Sequence, residues 1–284
     1  MNNALTLRQI IAKCFRRAKR WYAAYLGVQL LVLAFTVVAL FTNLDPYVSG
    51  LVGLVLVVMN EGLRWRSDLW KSEGELFKRE WEQCDGSGIE VNAAVIADWV
   101  AGRPPGFLKD VTDEEVSGSE FDSQEVPGPR RAVENTQESA WWTKHECRRM
   151  SVLLLVGLAI LFVLGFGTLF ANVAFLRNAP AHAPGAIAVL RSVAGIVCAV
   201  FTIVFSINVV RLFTEFRELA AQAEDVFRKC SALLQRENIP ERDAWLLMHE
   251  YQNARSAAPL IPTRIWLARG AHLRAEWRRF RPRV

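Results

Sequence analysis

The residues of this chain best equipped to meet a ligand are basic and aromatic, and they crowd into one short stretch. Trp141 and Trp142 stand beside Lys144, His145, Arg148 and Arg149, with Arg130 and Arg131 upstream. Aromatic rings stack on nucleobases and basic groups hold phosphates, so the cluster suits a nucleotide or oligonucleotide. The same composition suits an interfacial belt, in which Trp anchors the chain at the membrane surface and Lys and Arg set its topology. A second set closes the chain, where Arg264, Arg269, Arg274, Arg278 and Arg279 alternate with Trp266, Leu273, Trp277 and Phe280, and only Glu276 opposes them. That helix fits a membrane surface or a subunit contact, and an anionic ligand is the rival reading. The residues expected to contact a ligand are Arg130, Arg131, Trp142, Lys144, His145, Arg148 and Arg149, with Arg264 and Arg269 as second choices.

No catalytic constellation is legible. The chain has no GxSxG, HExxH, Walker A, Rossmann or paired-cysteine zinc signature, so it reads as a non-enzyme without cofactor or metal. Cys14, Cys84, Cys147, Cys198 and Cys230 are scattered and odd in number, which argues against a disulfide framework. Gly86-Ser87-Gly88 reads as a turn, because a phosphate-cradling loop needs further glycines and a lysine.

What positions the basic clusters is set by the distribution of charge. Over 284 residues the chain is 52% hydrophobic and 22% charged, with a net charge of +5, but the charges avoid four runs. Ser151 to Leu176 is twenty-six residues without a charge, and Val193 to Val210 is a second uncharged run after a Pro/Ala/Gly loop. A run of about 18 or more apolar residues is long enough to cross a bilayer as a helix. Upstream, Ala23 to Phe41 makes a first span, and Pro46 to Leu63 a second, with Asp45-Pro46 as the breaker between them. The expected architecture is therefore an all-α, multi-pass membrane protein with four transmembrane helices and a cytoplasmic helical domain. Lys and Arg crowd the N-terminal segment, the Arg64/Arg66/Lys71 region, Lys144/Arg148/Arg149 and Arg211/Arg217, while the outer loops carry only Arg177 and Arg191. By the positive-inside rule both termini and the middle segment are cytoplasmic.

The chain thus divides into a basic amphipathic helix (1–22), a first hairpin (23–63), a cytoplasmic insertion (64–149), a second hairpin (150–213) and C-terminal helices (214–284). In the first, Leu7, Ile10, Ile11, Cys14 and Ala18 share a face that suits an anionic membrane surface, with a nucleic-acid arm as the alternative. The insertion opens with a helix on which Leu69, Leu76, Phe77, Trp81 and Cys84 recur at near-heptad spacing. Residues 102–129 are acidic and rich in Pro, Gly and Ser, which predicts a solvated loop; a cation-attracting vestibule is the sharper alternative. Phe216, Ala220, Ala223, Phe227, Cys230 and Leu234 form a short heptad seam that serves packing within one chain or between subunits.

Within the spans, Gly195, Cys198, Ala199, Thr202 and Ser206 share one face of the fourth, and Thr168 and Asn172 give the third a polar edge. Small and hydroxylated residues serve helix packing or, in an oligomer, line a pore. No span carries a central charge, which disfavours a proton relay.

Three stretches carry a resemblance: Ala18–Tyr25 (AKRWYAAY) before the first span, Gln137–Lys144 (QESAWWTK) before the third, and Tyr251–Pro262 (YQNARSAAPLIP). With the insertion between two hairpins, this layout resembles the SMODS-associating four-transmembrane effectors of bacterial antiphage defence. The resemblance implies a homo-oligomer in the bacterial inner membrane, with a tetramer favoured. Such an effector answers an oligonucleotide signal made by a partner nucleotidyltransferase, an oligodeoxyadenylate or a cyclic oligonucleotide, by depolarising the membrane and arresting growth. Its partners would be the lipid bilayer and that signal, not duplex DNA. A non-conducting scaffold that recruits a soluble enzyme is the alternative.

Overall fold

A computed structural model describes residues 3–42, 45–112, 121–178, 195, 197 and 208–280. Among them are eight helices and no strand. They are α1 (Asn3–Phe41), α2 (Pro46–Ser87), α3 (Ala93–Ala101), α4 (Pro105–Thr112), α5 (Pro129–Asn178), α6 (Val209–Leu234), α7 (Glu241–Ala257) and α8 (Thr263–Phe280). The chain forms two compact units. One comprises residues 1–20, 66–149 and 215–284, and the other residues 21–65 and 150–214.

Helix α2 starts where its sequence says it should. The Asp45 carboxylate accepts from the backbone N–H of Tyr47 at 2.7 Å, and Pro46 occupies the first turn, where its missing N–H costs nothing. The helix stops at a glycine. Gly88 sits at φ +73°, and its N–H reaches the Cys84 carbonyl at 2.8 Å, a left-handed cap that other residues adopt only under strain.

In the first unit, the N-terminal part of α1 packs on α2. Leu7, Ile10, Ile11, Cys14 and Ala18 are buried with Trp70, Phe77 and Trp81 in one core cluster. The Ser67 hydroxyl donates to the Ala18 carbonyl at 3.0 Å. The helices cross closely at Gly74, where a Cβ would lie 3.3 Å from Cys14 and Phe15. This corrects the expectation of a helix lying on the membrane surface. Its apolar stripe is consumed by aromatic residues of α2, and burying it there removes it from water as well as lipid would.

The acidic segment is corrected too. Part of 102–129 is helix α4, and Phe107, Val111 and Phe121 are buried in the same cluster. Trp70 lies 5.5 Å from Phe107, and Trp81 stacks on Phe121 at 5.3 Å. Three aromatic or branched anchors outweigh an acidic composition, because each burial contributes about 1.5–3 kcal/mol. Residues 113–120 of that segment fall outside the described residues.

The α6 seam is filled from within the chain. Val226 and Cys230 pack with Val133 and Ala140 of α5 and with Ala244, Leu247 and Tyr251 of α7. The last helix is likewise an internal element, since Leu273 and Trp277 are buried against Trp141. A buried charged group joins α2 and α7. The Arg255 guanidinium donates to Glu82 at 2.5 and 3.0 Å and to Glu75 at 3.1 Å, and Gln252 donates to Glu82 at 3.0 Å. Burial opposes all these charges, yet Arg255 holds Glu82 below the usual carboxylate range, and the two carboxylates hold Arg255 well above its own.

Two helices that run between the first and second units are long and apolar enough to cross a membrane, within Tyr47–Ser87 and Pro129–Thr168. Their apolar windows have mean hydropathy 1.3 and 2.6 and are only 6% and 11% buried. Core helices of water-soluble proteins are mostly buried, so windows this exposed suit a membrane better than a protein core. The first expected span, Ala23–Phe41, is helical as the second part of α1, with Tyr25, Val28 and Gln29 buried. The fourth, Val193–Val210, lies almost wholly outside the described residues.

Candidate functional site

The basic-aromatic cluster occupies the first part of α5, within the first unit. At its start Arg131 grips Asp85 of α2 with two bonds, at 2.8 and 3.1 Å, and donates a third to the Glu125 carbonyl at 2.9 Å. Asn135 donates to the same carboxylate at 2.6 Å. A planar guanidinium matched to a carboxylate in this way is a positioning element. It fixes α5 against α2 where a Cβ on Gly86 would come within 3.0 Å of the Ala132 side chain. Arg130 is half-exposed beside Glu125, at 3.8 Å.

Between three and four turns along from Arg131, the chemistry changes. Lys144 lies 3.8 Å from Glu224 of α6 and 4.7 Å above the Phe227 ring, and Arg148 pairs with the same Glu224. Burial pushes the Lys144 ammonium below its ordinary value; Glu224 opposes that and Arg148 adds to it. His145 sits 4.5 Å from the Trp141 ring, and burial, then Lys144 and Arg148, push it down toward the neutral imidazole. The Thr143 hydroxyl bonds Tyr251 at 2.7 Å.

Behind these lies an acid that sequence reasoning passed over. Glu146 is buried, neither of its carboxylate oxygens has a hydrogen-bond partner among the described residues, and burial raises its proton affinity against the pull of Arg149 and Arg269. Arg269 of α8 is therefore part of the same electrostatic neighbourhood as His145 and Glu146. Trp142 is half-buried and meets Trp141 edge-on at 5.9 Å. The adjacent Cys147 thiol is pushed up to about 12 by burial, which makes it a poor nucleophile.

The structure therefore brings Trp142, Lys144, His145, Arg148, Arg149 and Arg269 into one region and sets Arg130 and Arg131 apart at the other end of the α5 approach. The side chain of Arg264 lies outside the described residues. So do Cys198, Ala199, Thr202, Ser206 and the side chain of Asn172; Gly195 is helical and half-buried, and the Thr168 hydroxyl donates to the Gly165 carbonyl at 2.8 Å. The partners missed in the sequence, Glu224 and Glu146, give no local signal, because one is an ordinary helix-surface acid and the other sits inside a basic run. Among the described residues no three His, Cys, Asp or Glu converge as a metal site.

Chemically, the region can hold an anion, provided the anion competes with Glu224 for Lys144 and Arg148. Compared with known protein families, curated proteins and solved structures, the chain matches none.

Proposed function

We propose that this protein is an oligomeric ion channel of the bacterial inner membrane, with four transmembrane helices, gated by an anionic nucleotide of the oligoadenylate type and serving antiphage defence. The observation that carries this reading is the continuity of α5. One helix holds the Lys144–Arg149 cluster and, directly after it, the exposed apolar window. A ligand shifts a closed–open equilibrium only if it binds one state better, and a continuous helix is a direct way for such a bias to reach the membrane. The Glu224 carboxylate, shared by Lys144 and Arg148, supports a switch in which phosphate oxygens replace it.

A non-conducting scaffold that recruits a soluble enzyme is the second reading. It is favoured by the same ion pairs, since Arg131, Lys144 and Arg148 already have carboxylate partners within the chain. Ion flux from liposomes containing the purified protein, with and without linear and cyclic oligoadenylates, separates the two. Flux that a nucleotide opens or closes is the expected result. Folded, inserted protein that passes no ions under any condition sinks the channel reading and leaves the scaffold.

A further inference from the structure

Helix α2 carries two apolar seams, and only one is filled. Trp70, Phe77 and Trp81 face the core shared with α1. Leu69 and Leu76, on the neighbouring face, are 38% and 53% exposed, and Ser72 between them is exposed. Traced backward from Leu76 through Ser72, Leu69, Trp65 and Gly62 to Val58, the open seam steps by four, three, four, three and four. The alternation continues to Val48, and every position in it is exposed. A 3.5-residue apolar repeat sustained over several heptads is the pattern by which parallel helices supercoil about one another.

Lipid satisfies the upper part of this seam but not the lower, because Leu69 and Leu76 belong to the charged, water-facing unit. At Gly62 a Cβ would meet nothing within 4 Å, so no packing within the described chain calls for a glycine there. A second helix approaching closely does. The flanking charges indicate which helix. Copies of one chain inserted alike in one membrane present α2 in parallel, and a parallel pair sets Glu61 of one copy opposite Arg66 of the next, five residues on. Both are exposed and of opposite sign. The next such pair, Asp68 with Glu73, is of like sign, but Glu73 is already held by Arg103 at 2.5 Å and by the Trp99 N–H at 3.1 Å.

The geometry points to a second copy of this chain as the occupant: a parallel homo-oligomer in which α2 packs on α2 along the Val48–Leu76 seam. This rests on the oligomeric reading above and supplies its interface. Ser72, the polar member of an otherwise apolar or glycine seam, is placed to fix register, as a single polar core residue does in coiled coils.

The test uses the full chain in liposomes. Ser72→Cys places thiols across the seam at disulfide reach. Mild oxidation is expected to convert it to a reducible dimer, whereas wild type and Leu246→Cys, at a 66% exposed position on α7, stay uncross-linked. Leu69→Lys combined with Leu76→Lys is expected to shift the particle mass in detergent to that of one chain, with helicity retained. Ion flux is recorded on the same samples. An oligomer that conducts, yet neither cross-links at position 72 nor dissociates in the double variant, overturns the seam and leaves the channel reading standing. Cross-linking at position 72, with no flux from wild type either with or without linear and cyclic oligoadenylates, establishes the seam and overturns the channel reading. A wild type of single-chain mass, or one whose seam is filled by a different protein, overturns the seam.

Discussion

Arg255 holds two buried carboxylates, Glu75 and Glu82, that would otherwise face a low-dielectric interior alone. Removing one partner of such a group leaves uncompensated buried charge, a loss of about 3–5 kcal/mol. Arg255→Met is therefore expected to lower the thermal unfolding midpoint sharply by circular dichroism, and adding Glu82→Gln and Glu75→Gln to recover part of the loss. The acid limb has a definite sign. Because Glu82 titrates below its unfolded value, its contribution is fully present above about pH 4.3 and is lost as pH falls through the folded value. His145 acts around neutrality. Its folded affinity for protons is depressed, so the unfolded chain binds more protons, and stability is expected to fall as pH drops below about 6.5. His145→Gln should flatten that part of the unfolding-versus-pH curve; an unchanged slope would show that the imidazole is not desolvated. None of this network was legible beforehand, although Tyr251, Gln252 and Arg255 lie in one of the stretches that carried the family resemblance. The partners of Arg255 are 180 and 173 residues away, and no local period encodes such a pairing.

At the scale of elements, helix existence was plain in the sequence and helix partnership was not. Long uncharged runs and caps such as Asp45-Pro46 announce themselves locally. Which face meets which is a tertiary question, and amphipathicity answers it only by half. The stripe Leu7–Ala18 reads equally as lipid-facing or core-facing, and the large aromatic surface of α2 decided it. On α2, residues 69, 76, 77, 81 and 84 looked like one heptad face. They are two adjacent faces, because positions 76 and 77 differ by about 100° around a helix. The α5 cluster was legible as a group, yet its pairing with Glu224 needed α6 beside it. The α2–α5 contact yields its own prediction. With a Cβ at Gly86 only 3.0 Å from Ala132 Cβ and 3.2 Å from its Cα, a larger residue must force the helices apart. Gly86→Val is expected to cost about 1–3 kcal/mol in chemical unfolding, whereas Gly106→Val, where a Cβ meets nothing within 4 Å, should cost clearly less.

At the scale of the whole molecule, four helices among the described residues run through both units, since the divisions at Arg20, Arg66, Arg149 and Glu215 fall inside α1, α2, α5 and α6. A change in how these helices are held in the first unit therefore has a covalent route to the apolar one. Glu224 is the place to probe it. Its carboxylate ties Lys144 and Arg148 of α5, shortly before that helix enters the apolar unit, to α6 shortly after it has left it. An anionic nucleotide that uses those two cations must displace it. Glu224→Gln removes the competitor, and with Arg148 exposed to solvent the gain is modest, about 1 kcal/mol or roughly fivefold in affinity. The midpoint of the nucleotide-dependent flux response is expected to move to lower concentration by that factor, and the advantage to shrink as salt is raised. Arg148→Glu should move the midpoint the other way, because it adds a carboxylate and removes a phosphate ligand. A midpoint indifferent to both substitutions would mean that the cluster only anchors the helix at the membrane surface, and that the ligand, if one gates the channel, binds elsewhere.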